Sequence, residues 1–309
     1  MVKNIRNQLH LIKKYINIQY KGNRIYILLH QIYSILHILL QLPINRLFLL
    51  KLKVYKHKHG ISRPIIHYYA VCWNEEKILP YMLDYNGQFI AKFFIYDNYS
   101  TDNSNEILSK RSNVEIIQFK TNNTFNDIIH TDIKNNCWKK SRGKADYVIV
   151  CDVDEFLYHP QLTDFLKKSL RERITFFTPT GYNMFSDHFP EYEPNKYIVD
   201  IVKNGVLDKD FSKSILFDPH RIVEINYTAG AHFCYPWGIV KTKEDNKLFL
   251  LHYKNLGVAY VLKRSNMYKN RLSQINIEKK FGVQYLKEDE EIAKEIESNL
   301  QHSKRVIQS

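Results

Sequence analysis

The sequence predicts an α/β fold built on a mostly parallel central sheet with flanking helices. Three observations carry that expectation. Between residues 65 and 152, four short runs rich in β-branched and aromatic residues alternate with segments of helical spacing. Three of the runs end in polar groups, Asn74-Glu75-Glu76, Asp97-Asn98 and Asp152-Asp154. The fourth run, "DYVIVCD", stops in the carboxylates Asp152, Asp154 and Glu155 before apolar sequence resumes at Phe156.

The chain has 309 residues, of which 44% are hydrophobic and 14% aromatic. That suffices for one large α/β domain or two modest ones, and excludes general disorder. The net charge of +13 is unevenly placed. No Asp or Glu precedes Glu75, whereas twelve Lys or Arg do: Lys3, Arg6, Lys13, Lys14, Lys21, Arg24, Arg46, Lys51, Lys53, Lys56, Lys58 and Arg63. The remainder holds 33 basic and 32 acidic residues. This pattern fits an electrostatic anchor joined to a neutral domain, and it argues against a nucleic-acid partner. Cys72, Cys137, Cys151 and Cys234 form no CxxC pair, so buried reduced thiols and a cytosolic setting are expected.

Residues 1–60 read as a basic, amphipathic helical segment that docks on a membrane or a partner. Ile25, Leu28, Leu29, Ile32, Leu36, Leu39 and Leu40 keep helical spacing, His30, Gln31, His37 and Gln41 interrupt the apolar run, and Pro43 is expected to end it. Lys and Arg there gain roughly 1 kcal/mol each near an anionic leaflet. The expected location is therefore cytoplasmic, peripheral to an anionic membrane surface. Residues 61–286 read as the main domain and 287–309 as a surface helix, with Ile292, Ile296 and Leu300 at helical spacing.

Within the main domain the elements follow in order. "IIHYYAVCW" (65–73) is the first strand, and "NEEKILPYMLDYNGQ" places Ile78, Leu79, Met82 and Leu83 on one helical face. "KFFIYDN" (92–98) is the second strand, followed by capping residues and a short helix. "VEIIQF" (114–119) is the third, and "FNDIIHTDIKNNCWKKS" carries Ile129, Ile133 and Cys137 at helical spacing. "DYVIVCD" (146–152) is the fourth. In such sheets ligands bind beyond the carboxyl ends of the strands, so the three polar clusters should converge on one edge.

A D-x-D after a buried strand suits a hard metal, because carboxylates two residues apart on an extended segment face the same way. Asp152 and Asp154 can then share Mn2+ or Mg2+ with a diphosphate, while Glu155 points away and orients a neighbour. The phosphatase alternative wants Thr or Val where Phe156 stands. A nucleotidyltransferase would want a Gly-rich phosphate loop, which "VCWNEEKIL" lacks. A non-catalytic or nucleic-acid-associated basic protein on the same fold is the remaining alternative.

"VCWNEEKILPYMLDYN", "FFIYDNYSTDNS" and "DYVIVCDVDEFLY" resemble the opening motifs of GT-A glycosyltransferases, most nearly the family-2-like group with a DxDEF sequence. The resemblance covers residues 65–160 and runs more loosely to about 286. It implies a Rossmann-like nucleotide-diphospho-sugar transferase domain. By resemblance Asp97 reads the nucleotide base, Asn74, Glu75 and Asn98 lie near the nucleoside, and Asp152 and Asp154 make the metal and ribose contacts. Asn98 stands where many family-2 enzymes carry a second Asp.

In the second half, His252 in "LFLLHYKNLG" ends an apolar run, as a metal ligand projecting from a strand end would, and His232 in "GAHFC" is the alternative. Lys254 follows, and Arg264 and Arg271, seven residues apart on a predicted helix, share a face that could clamp a diphosphate. "GYNMFSDHFPEYEP" (181–194) is aromatic and acidic, as a sugar-binding loop is. Asp187 is the expected general base, with Glu191 behind it and Asp208 and Asp210 as further alternatives. The resulting expectation is a metal-dependent glycosyltransferase. It would move a sugar from a nucleotide-diphosphate donor to a glycan or lipid-linked acceptor in cell-surface polysaccharide or lipopolysaccharide synthesis.

Overall fold

The computed structural model of the protein describes residues 24–194 and 196–308; the basic residues from Lys3 to Lys21 lie outside that range. Helix α1 (Arg24–Lys58) is continuous and carries Pro43 inside it. The expected stop at Pro43 does not occur, because leucines and isoleucines at helical spacing on both sides carry the helix past one lost backbone hydrogen bond. Its stretch Leu28–Lys58 is long and apolar enough to cross a membrane. One face of α1 lies along the domain. Leu52 is buried there, His37 Nε2 is 3.1 Å from Glu224 Oε1, and Lys56 Nζ is 2.6 Å from Asp146 Oδ2. The other face exposes Leu28, Leu29, Ile32, Leu36, Leu39, Leu40 and Leu47.

The alternating region folds as the sequence predicts. It comprises β1 (Ile66–Cys72), α2 (Leu79–Gly87), β2 (Lys92–Asp97), α3 (Ser104–Ser109), β3 (Val114–Gln118), α4 (Asp127–Asn136) and β4 (Tyr147–Asp152). The strands run parallel in the order β3-β2-β1-β4. Both faces of β1 are covered, which is why it reads as an unbroken apolar run. Ile66, Tyr68, Ala70 and Cys72 pack with Leu79 and Met82 of α2. Tyr69 packs on the opposite side with Phe94, Trp138 and Phe217.

The rest of the chain supplies β5 (Glu155–Tyr158), α5 (Leu162–Arg171), β6 (Thr180–Ser186), α6 (Ile198–Ile201), β7 (Asn204–Leu207), β8 (Leu216–Phe217), β9 (Ile222–Glu224) and β10 (Trp237–Gly238). After these come β11 (Phe249–Leu256), α7 (Val258–Lys269), α8 (Gln274–Glu278), α9 (Asp289–His302) and β12 (Lys304–Arg305). Strand β8 closes the first sheet antiparallel to β4. A second five-stranded sheet has the order β12-β7-β6-β11-β5, with β6 and β11 parallel. One core lies between the sheets, where Ile149 and Cys151 of β4 meet Phe156, Met184, Leu251 and Tyr253. Helix α9 is half-buried: Ile292 and Ile296 pack on Phe185 and Val261.

Candidate active site

A cavity of about 310 Å3 opens beyond the carboxyl ends of β1 and β4. Six Lys or Arg side chains line it against four carboxylates, so its walls favour an anion. The chain makes this site by reversing direction between Asp152 and Glu155, which passes the backbone from the first sheet into the second. Both Asp152 and Asp154 thereby face the cavity.

Each carboxylate sits among cations. Lys134 Nζ donates to Asp152 Oδ1 at 2.7 Å, and Lys213 Nζ lies 3.6 Å from Oδ2. Burial would raise the Asp152 carboxyl, but these two ammonium groups bring it down to about 2. Its side chain stays 36% open to the cavity. Lys213 also meets Glu155 Oε1 at 2.5 Å, and Glu155 Oε2 accepts from the Asp152 backbone N–H at 3.0 Å. Glu155 thus supports the pair from behind.

Asp154 is bridged to Glu75 by one guanidinium. Arg264 donates to Asp154 Oδ2 at 3.0 Å and to Glu75 Oε1 at 2.7 Å. Against the burial penalty, His252 and Arg264 hold the Asp154 carboxyl well below the usual carboxylate range. Burial pushes Glu75 up to about 8, with Arg264 pulling the other way. Its Oε2 is buried with no hydrogen-bond partner among the described residues. Lys254, also on the wall, is lowered to about 8 by burial and by the neighbouring Arg264.

His252 lies in the middle of β11, not at its end, directly opposite Asn183 of β6 and Glu155 of β5. Asn183 Nδ2 donates to Asp208 Oδ2 at 2.8 Å, and a carboxylate can only accept. That fixes the amide, so Asn183 Oδ1 accepts from His252 Nδ1–H at 3.1 Å. In the neutral imidazole the remaining nitrogen, Nε2, then directs a lone pair toward Asp154 Oδ1, 3.5 Å away. Two lone-pair groups facing each other at that separation call for a cation between them, a proton or a metal ion. Among the described residues no group of three His, Cys, Asp or Glu side chains is placed to hold a metal. A two-ligand site completed by phosphate oxygens and water is the arrangement Mg2+ commonly takes. Asp154 and His252 fit that arrangement.

Arg271 lies beyond the end of α7 and not on the helix expected to carry it, yet its head reaches the same cavity as Arg264. Its guanidinium stacks 3.5 Å from the Trp73 ring centroid and donates to Asn98 Oδ1 at 2.7 Å. Asn98 is buried behind the wall and also receives Thr121 Oγ1. Asp97 is fully buried and is not among the residues lining the cavity: it accepts from Ser100 N at 3.1 Å and from Asn105 Nδ2 at 3.1 Å. It therefore shapes the loop after β2. Asn74, held in the left-handed region (φ 54), ties that loop to β1 through Thr101 N at 2.7 Å.

The acidic candidates from 181–194 are not brought to the cavity. Asp187 pairs with His188 at 2.6 Å and lines a second depression with Lys203 and Arg305. Glu191 is exposed and lines neither hollow. The segment's early residues are strand β6, and Asp187 follows the strand's end, where it lines the second depression and not the first. Asp208 serves Asn183, and Asp210 is exposed but offers its backbone carbonyl to His232 Nδ1 at 2.9 Å. His232 itself is on the cavity wall.

Sequence reasoning missed Lys134, Asn183 and Lys213. A signal for the first exists: Asp127, His130, Thr131 and Lys134 recur at helical spacing opposite the apolar Ile129 and Ile133, and all four line the cavity. Asn126 starts that helix by accepting from Ile128 N and Ile129 N. Lys213 and Asn183 carry no local signal.

No curated protein matches the chain by sequence. Crystal structures of TarS from S. aureus align with it distantly. TarS 1–349 covers 67% of this chain and 65% of its own at 11% identity, TM-score 0.37. A TarS structure covers 72% of this chain, which spans only 43% of it, at 10% identity and TM-score 0.38. TarS 1–349 in complex with UDP-GlcNAc covers 72% and 71% at 11% identity, TM-score 0.39. The model of glycosyltransferase family 92 matches residues 67–300, from β1 through most of α9, well over half of the chain. The protein belongs to glycosyltransferase family 92 and is a glycosyltransferase.

Proposed function

We propose that the protein moves a sugar from a nucleotide-diphosphate donor to a glycan or lipid-linked acceptor, on a GT-A fold with residues 61–286 as the catalytic unit. The observation that carries this reading is the cationic wall around the Asp152–Asp154 turn at the carboxyl edge of a parallel sheet. In this reading the D-V-D-E-F segment acts as a DXD motif. Asp154 and His252 hold Mn2+ or Mg2+, with Asp152 alongside, and the ion supplies charge neutralisation on the diphosphate. Lys213, Lys254 and Arg264 donate to the phosphate oxygens as negative charge gathers on the leaving group. Trp73 and Arg271 offer stacked planes to the nucleoside. Glu75 orients Arg264, and Asn183 orients His252.

Calorimetric titration of UDP-, GDP- and dTDP-sugars, with and without Mn2+, tests the reading. Binding that needs the metal and disappears in Asp154→Ala is the expected result. No binding of any nucleotide with any metal would sink it.

The same proposal places the enzyme at the cytosolic face of a membrane in surface-polysaccharide assembly. The apolar face of α1, flanked by Arg46, Lys51, Lys53 and Lys58, supports an anionic bilayer as its partner. The protein should float with anionic liposomes at low salt and release at high salt. Equal flotation on neutral liposomes would remove the electrostatic part.

A further inference from the structure

A transferase needs a group that takes the acceptor's proton, and the cavity's carboxylates are otherwise engaged. Asp152 is held by Lys134 and Lys213 and Asp154 by Arg264 and His252, while Glu75 is buried, with Oε1 held by Arg264 and Oε2 enclosed without a partner among the described residues. Asp127 is held by Asn276, with a hydrogen bond of 3.0 Å. His130 is enclosed by the Phe119 and Phe125 rings.

His232 differs from all of these. Its Nδ1 lies 2.9 Å from the Asp210 carbonyl, which can only accept, so Nδ1 carries the proton and Nε2 keeps a lone pair. Nε2 makes no hydrogen bond among the described residues. The backbone is shaped for this placement. Gly230 has φ +69, and a Cβ there would stand 2.6 Å from His232 Cδ2 and 2.8 Å from Nε2. Ala231 is also left-handed, at φ 56, a conformation that costs energy in a non-glycine residue. The loop is anchored on α4, where Asn135 bonds both Tyr227 N and Tyr227 O.

The Phe211 ring touches both this histidine and His252: its centroid is 5.1 Å from the His232 ring and 4.6 Å from the His252 ring. Next to His232 in the chain, Phe233 is 60% exposed, a flat apolar face of the kind carbohydrate rings stack on.

We propose that His232 is the general base of the transfer, and that the turn carrying it, with Phe233 at the rim, forms the acceptor subsite for a glycan hydroxyl. The proposal rests on the cavity being the donor site. The hydroxyl proton passes to His232 Nε2 as the acceptor oxygen bonds to the anomeric carbon. The bond from that carbon to the phosphate oxygen breaks, and its electron pair leaves on the nucleoside diphosphate. The imidazolium then returns its proton to solvent. Burial and the Lys213 ammonium favour the neutral imidazole, against the Asp210 carbonyl and the more distant Glu155 and Asp152 carboxylates.

His232→Asn tests this in the full chain. The amide can still donate to the Asp210 carbonyl, and only the basic nitrogen is lost. Binding of UDP-, GDP- and dTDP-sugars should stay within twofold of the parent protein. Release of the nucleoside diphosphate should fall by ~10²–10⁴. Added imidazole should restore part of the rate, and the acidic limb of the pH–rate profile should vanish. Turnover within tenfold of the parent, with the acidic limb intact, overturns the base. Absence of nucleotide binding in the parent overturns the donor reading and this proposal with it. Should the Asn variant fail to fold, His232→Gln carries the same comparison. For the subsite, Phe233→Ala should raise the KM for methyl glycoside acceptors; an unchanged KM overturns that part.

Discussion

Lys213 and Glu155 form a buried ion pair at 2.5 Å, with 3% and 1% of their side chains exposed. Little of either side chain meets solvent, and each has a second duty at the site. Glu155 holds the Asp152 backbone and Lys213 faces the Asp152 carboxylate. Burial alone would lower the Lys213 ammonium, yet Glu155 and Asp152 raise it above its ordinary value.

Removing one partner of such a pair leaves an uncompensated buried charge. Glu155→Ala should therefore cost about 3–5 kcal/mol of unfolding free energy, measured by chemical denaturation. A loss below about 1 kcal/mol would mean that water reaches Lys213 in the folded protein.

Arg271 is held flat against Trp73 by Asn98. Cation–π contacts of this kind contribute about 1–2 kcal/mol when desolvated. Arg271→Ala should weaken nucleotide binding by roughly tenfold, read from calorimetry, and should alter Trp73 fluorescence. Unchanged affinity would place the nucleoside elsewhere.

Stability should depend on pH through His67, buried within β1 and bonded to Ser141 Oγ at 2.7 Å. Burial, with Lys92, Lys144 and Lys140, lowers its pKa from 6.5 to about 4. The unfolded chain then binds the proton that the folded one refuses. The contribution is complete above about pH 6.5 and is lost as pH falls toward 4, roughly 3 kcal/mol in all. Melting temperatures followed across that window should drop, and His67→Gln should flatten the drop. A parallel decline in both proteins would assign the effect to other groups.

Much of the fold is legible in the sequence. Each strand of the parallel sheet lies within the run that predicts it, and for the central strands β1 and β4 the reason is that strands buried on both faces must be largely apolar. The carboxylates at the ends of β1 and β4 follow from the same logic. The second sheet is less legible. Asn183 reaches His252 across a parallel pairing sixty-nine residues apart, and that register is set by packing between the sheets. Asp97 is hard to read for a related reason: a buried acid at a strand end can serve its own loop as well as a ligand, and here Ser100 and Asn105 bond it.

Gly181 of β6 touches the segment that carries Phe211. A Cβ there would stand 2.3 Å from the Phe211 carbonyl carbon and 2.6 Å from Ser212 N. Gly181→Ala should cost about 1–3 kcal/mol by overpacking and should displace Phe211, slowing turnover more than nucleotide binding. Scanning calorimetry and a nucleoside diphosphate release assay separate the two effects; full activity would show that the segment yields freely.

The turn at Val153 and Asp154 belongs to neither sheet. Asp152 closes the first sheet and Glu155 opens the second, so the seam between two independently hydrogen-bonded layers runs through the acids themselves. The spacing of Asp152 and Asp154 is thus a gauge of how closely the layers are pressed together. Core substitutions at that seam, such as Met184 or Phe156, should register at the acids before they register in secondary structure.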